Sequence, residues 1–162
     1  MTDRIYVTYK PTIAPESYHA EINFERRDAD GKLILHKIID AGPANNRLSD
    51  KVIGAIEEKL RGDNGPSYFG DILAAERDPT DEDKKLAYET IAEGADLSSN
   101  WAKMQLFAHG FNRAGFAYRG DHQNSNSFGS ALLRAGELPP ATGVAHDPAG
   151  PPGELLDFLP LA

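Results

Sequence analysis

The dipeptide Asp30-Gly31, set between two strand-like segments, constrains this chain more than any other feature. Upstream, SYHAEINFER (17–26) alternates, with Ala20, Ile22 and Phe24 on one face and His19, Glu21, Asn23 and Glu25 on the other. Downstream, KLILHKIIDAGP (32–43) reads as the return strand. Asp-Gly suits a two-residue type I′ turn, because both central positions need positive φ. Such a turn sets Ile22 opposite Ile39 and Glu21 opposite Asp40. His19 and Asp40 then become diagonal neighbours on one face of adjacent strands.

The other segments extend this hairpin. RIYVTY (4–9) and YFGDILAAER (68–77) have strand composition. Ser49-Asp50 can cap a short helix over KVIGAIEEKLRG (51–62), with Val52, Ile53, Ile56 and Leu60 as its apolar stripe and GDNGPS as its end. PTDEDKKLAYETIAEG (79–94) has a Thr/Asp cap, an acidic first turn and good helix formers, and predicts a helix. SSNWAKMQLFAHGFNRAG (98–115) predicts another, in which Trp101, Met104, Ala108 and Phe111 recur at helical spacing and read as core. After HQNSNSF (122–128), a further helix buries Phe128, Ala131, Leu132 and Ala135 and stops at Gly136. Residues 139–153 are Pro- and Gly-rich and read as a surface loop, and ELLDFLPLA (154–162) is apolar enough to dock back on the body. The composite is one α+β domain over 1–162, a short antiparallel β-sheet with about three helices.

Composition narrows the partners. The formal net charge is −8 and the Lys and Arg are scattered, which argues against a nucleic-acid backbone or an anionic membrane surface. No apolar run approaches a membrane span or a signal-peptide core. The expectation is a cytoplasmic protein, or one exported by a route that needs no cleaved signal. The absence of cysteine excludes disulfides, thiolate metal sites and cysteine nucleophiles.

The five histidines, His19, His36, His109, His122 and His146, lack the spacing of a local metal motif, and the sequence clusters no acidic residues with them. Neither a metal nor another cofactor is expected, since only long-range assembly could build such a site. No P-loop, dinucleotide fingerprint or G-x-S-x-G elbow is present. Ser125 and Ser127 remain, at the start of a helix. A helix N-terminus offers free N–H groups and a positive dipole end, which stabilise an oxyanion. A serine nucleophile also needs a base within hydrogen-bond reach and a group to orient that base. The His19 and Asp40 face could supply both. Capping alone explains NSNS equally well, because Asn and Ser are favoured N-caps.

The order of these segments resembles the circularly permuted papain-like fold of lecithin retinol acyltransferases, some cell-wall amidases and related deubiquitinase-like peptidases. SYHAEINFE matches the strand that carries the base in that superfamily. The return strand with Asp40 matches the orienter strand. Asn124-Ser125-Asn126-Ser127-Phe128 matches the Asn-Cys-Asn-x-Phe stretch that opens the nucleophile helix. The resemblance covers roughly residues 17–136. More narrowly, the stretch from Trp101 through Tyr118 to NSNSF resembles a bacterial domain family found alone or near the ends of large secreted or phage-associated proteins.

The resemblance implies Ser125 as nucleophile, His19 as base and Asp40 (or His36) as orienter. Gln123, Asn124, Asn126 and Tyr118 would then line the cleft, with His122 a lesser candidate for the base. It implies a hydrolase or acyltransferase-like domain acting on an amide or ester, with a peptide or acyl substrate such as peptidoglycan or protein peptide bonds. Serine stands where the superfamily has cysteine, so the low-pKa thiolate is missing. The alternative is therefore a papain-like binding module without turnover, within a secreted antibacterial effector or a phage-associated system.

Overall fold

The computed structural model describes residues 1–11, 18–43, 68–114, 117–119 and 125–143. Five long antiparallel strands form the sheet: β1 (Thr2–Pro11), β2 (Tyr18–Arg27), β3 (Leu33–Pro43), β4 (Tyr68–Arg77) and β5 (Ala87–Gly94). Their order is β5-β1-β2-β3-β4, and the three-residue β6 (Ala117–Arg119) pairs with the outer side of β4. Two helices, α1 (Ser98–Ala114) and α2 (Ser125–Ala135), pack on one face. The α+β class and the antiparallel sheet agree with the sequence reading. Among the described residues no helix is long and apolar enough to cross a membrane.

The hairpin has the expected register through a different turn. Ile22 lies opposite Ile39, as alternation requires. Yet Asp30 is not in the left-handed region, where the only non-glycine among the described residues is Glu137. Asp28 organises the loop instead: its carbonyl accepts the Gly31 N–H and its carboxylate accepts the N–H groups of Asp30 and Lys32. Gly31 alone takes positive φ, +80°, giving a three-residue loop with a glycine bulge. A second irregularity follows, because Arg27 pairs with Leu33 and Arg26 with Leu35, leaving Ile34 as an extra residue. The two offsets cancel, and burial of Ile22, Phe24 and Ile39 on one face holds the register.

That apolar face is the core. Ile5, Val7, Tyr9, Ile22, Phe24, Ile39, Ala41 and Ala74 from the strands meet Trp101, Met104, Ala108 and Phe111 of α1 and Phe128, Leu132 and Leu133 of α2. Trp101 stacks on Phe24 with ring centroids 5.3 Å apart, and Phe128 meets Phe111 edge to face at 4.8 Å. Each such buried side chain contributes roughly 1.5–3 kcal/mol from area removed from water. The Trp101 stripe is therefore structural, as its spacing suggested.

Two further expectations are corrected. Residues 79–94 are not a helix: only a 3₁₀ turn forms at Asp83–Lys85, and Ala87–Gly94 becomes strand β5. β1 is buried, and its second edge needs a partner for its N–H and C=O groups, so pairing there overrides local helix propensity. The acidic first turn was a misleading signal, since the Asp83 carboxylate is taken by Arg77 and Thr80.

Gly136 is not the left-handed stop of α2. That role falls to Glu137 (φ 57°), with the Leu138 N–H bonded to the Leu133 carbonyl and the Glu137 N–H to that of Arg134. Glycine is required at 136 for close approach, because a Cβ there would lie 2.8 Å from Met104 Cγ. Two α-helices stand among the described residues. The helix expected over 51–62, residues 144–153 of the Pro/Gly-rich loop and the segment 154–162 lie outside them.

Candidate functional site

Strand pleating places the polar alternates of β1, β2 and β3 on the face opposite the helices, and the segment joining β4 to β5 crosses that face. Order β5-β1-β2-β3-β4 demands this crossing, since the chain must travel from one edge of the sheet to the far side of β1. The crossing segment contributes Asp83 to the first of two polar groups on that face.

The first group contains His19, Glu21, Asp40, Arg77 and Asp83. His19 Nε2 lies 3.6 Å from Asp40 Oδ2 and 3.6 Å from Glu21 Oε1. Arg77 binds the other Glu21 oxygen, Oε2, and grips Asp83 through two bonds of 2.7 and 2.9 Å. Glu21 is only 2% exposed. Burial raises its pKa and the neighbouring Asp40 carboxylate adds to this, against the opposing pull of Arg77, His19 and Lys10. Asp83 is held well below the usual carboxylate range, chiefly by Arg77.

In the second group the Tyr6 hydroxyl donates to Glu25 Oε1 at 2.8 Å. His36 Nε2 lies 2.9 Å from Asn23 Oδ1 and 3.1 Å from Tyr6 Oη. Asn23 in turn donates to Thr8 Oγ1. Since the Asn23 oxygen is an acceptor, Nε2 carries the His36 proton. His36 Nδ1 is buried without a hydrogen bond. Burial lowers the His36 pKa, so the imidazole is held neutral. Burial would raise Glu25, but the Tyr6 hydroxyl and the Arg4 and Arg27 guanidiniums outweigh it and lower its pKa. Arg4, Tyr6, Glu25, His36 and Tyr88 line a groove of about 280 Å³ here.

The two groups occupy different places along β2. His36 pairs with Glu25, six residues from His19, about 20 Å along a strand. Asp40, not His36, is therefore the neighbour of His19. The diagonal His19–Asp40 relation was legible from the hairpin register. Glu21 was missed as a participant, although its parity with His19 and its position opposite Asp40 were already visible. Arg77 and Asp83 had no local signal.

α2 reaches this region from the other side. α1 begins near Arg26, which bonds the Ser98 hydroxyl, and ends near Ala74, whose backbone N–H and C=O both bond Asn112. α2 runs back beside it: the Gly136 carbonyl accepts from Asn100, Phe128 meets Phe111, and Gly129 abuts Ile22. Ser125, the first helical residue, thus lies at the end of the sheet where β2 begins. That is the end bearing His19 and Asp40. The faces differ, however, because α2 covers Ile22 while His19 projects with Glu21 from the opposite side of β2. Asn126 follows Ser125 in the first turn of α2, and Tyr118 lies in β6 beside β4. His122, Gln123, Asn124 and His146 lie outside the described residues. His109 is exposed on α1.

No family model, no curated protein and no solved structure matches this chain.

Proposed function

We propose that the chain is a hydrolase or acyl-transfer domain acting on an amide or ester, with the permuted papain-like layout. Ser125 is its nucleophile, His19 its general base and Asp40 the group that orients the imidazole. The observation supporting this reading is the His19–Asp40 pair at the same end of the sheet as the N-terminus of α2. A helix N-terminus supplies N–H groups for an oxyanion, and a base beside a carboxylate is the partner that a serine hydroxyl needs. In this reading Gln123, Asn124, Asn126 and Tyr118 are the residues that contact a peptide or acyl substrate. Because His19 and α2 occupy opposite faces, the imidazole must meet the hydroxyl around the start of β2.

A serine-directed fluorophosphonate, with the adduct located by mass spectrometry, tests the assignment. The reading requires an adduct on Ser125 that disappears in His19→Ala. An adduct that survives His19→Ala removes the dyad. The opposite faces favour a second reading, a binding module of the same layout without turnover, and a chain that resists labelling altogether supports it.

A further inference from the structure

We propose that His19, Glu21 and Asp40 bind a first-row divalent cation of the Zn²⁺ class, a property that goes beyond the acyl-transfer reading, does not depend on Ser125, and belongs to a metal-bound form in which His19 is a ligand and not a general base. The contacts from His19 Nε2 to Glu21 Oε1 and to Asp40 Oδ2 are both 3.6 Å, too long for a hydrogen bond. They are close to the ~3.4 Å edge of a tetrahedron around an ion with ligands at about 2.0–2.1 Å. One ligand atom from each of the three residues falls within 4.8 Å of the others.

Charge points the same way. Glu21 and Asp40 place two carboxylates beside one imidazole. The cations facing them are Lys10 and Arg77, and Arg77 is shared with Asp83. Asp83 is engaged by Arg77 and Thr80, so it is not a ligand. A divalent ion neutralises the Glu21 and Asp40 pair.

The surroundings suit a held ligand set. Arg77 on Glu21 Oε2 fixes that carboxylate with Oε1 turned to His19, as an outer partner orients a metal ligand. The His19 and Asp40 side chains are 21% and 26% exposed, which leaves solvent a way in and room for a water as fourth ligand. A nitrogen donor beside two carboxylates favours Zn²⁺ over Mg²⁺, which prefers six oxygens.

Calorimetric titration of Zn²⁺ into the full chain at pH 7, in metal-free buffer, is the test, with Mg²⁺ for comparison. We expect about one equivalent of Zn²⁺ to bind, Mg²⁺ far more weakly, and a loss of about tenfold or more in His19→Ala and in Asp40→Asn. His109→Ala, on the exposed side of α1, should change nothing. Both site variants alter partly exposed side chains, and far-UV circular dichroism checks their folding. The visible spectrum of the Co²⁺ form gives a second readout, with tetrahedral intensity lost in the same variants. Absence of saturable Zn²⁺ binding, or binding that survives both substitutions, overturns the proposal. Fluorophosphonate labelling in the presence of a chelator is read separately, so failure of the acyl-transfer reading leaves this result unaffected.

Discussion

On one face of the sheet, Phe24, Trp101, Phe111 and Phe128 exclude water beneath two helices; on the other, among the described residues, Glu21, Arg77, Tyr6 and His36 lie beside the segment that joins β4 to β5 and carries Asp83. The first face is held by buried area, which is non-directional and indifferent to pH. The second is held by particular pairs, each valuable only while its partner is present. The difference shows where chemistry can reside. Groups that titrate collect on the face opposite the helices, and the face beneath the helices holds them in position.

The sharpest test sets one substitution against another. Phe128→Ala should cost about 4 kcal/mol in urea unfolding, because a fully buried ring leaves a cavity between α1, α2 and β2. Arg77→Met should cost about 3 kcal/mol at pH 7, because Glu21 and Asp83 lose their counter-ion. The Phe128→Ala deficit should stay constant with pH. The Arg77→Met deficit should shrink in acid, as Glu21 and Asp83 take up protons and no longer need the guanidinium. Equal pH dependence in the two variants would break the contrast.

A smaller effect comes from His36. Its pKa is lowered in the fold from an ordinary value of 6.5, so the neutral form is the folded one. Its contribution is fully present above about pH 6.5 and is lost as pH falls through the lower folded value. Thermal unfolding between pH 7 and 5 should therefore show a declining midpoint, and His36→Gln should flatten that slope. A parallel slope in the variant would assign the decline to another group. The smallest effect lies outside both faces: Glu137→Gly should raise stability by about 0.5–1 kcal/mol, measured by the same urea unfolding, because glycine takes positive φ without strain. The exposed Lys103–Glu137 ion pair that it removes offsets little.

Much of the hairpin was readable because alternation and burial act along a single strand pair. Ile22 opposite Ile39, and His19 on the face of Asp40, follow from a period of two whatever turn joins the strands. The turn itself was misread, since Asp28 outcompetes Asp30 as the organising acid. The segment 79–94 was misread more seriously. Its helix-forming composition is real, but it competes with an open edge of β1, which lies some eighty residues away in sequence.

The sequence by itself determined the α+β class, the β2–β3 register, the buried stripe of α1, the Phe128, Ala131 and Leu132 part of that of α2, and the proximity of His19 to Asp40. Each of these is a local periodicity, or one step across a hairpin. Only the tertiary structure decided that β5 closes on β1 and that Arg77 joins Glu21 to Asp83. It alone also set Ser125 and His19 at one end of the sheet on opposite faces. Those relations depend on the order of strands in space and on which way α2 returns over the sheet. Neither quantity is carried by any short run of residues, because both are settled by the mutual burial of segments far apart in the chain.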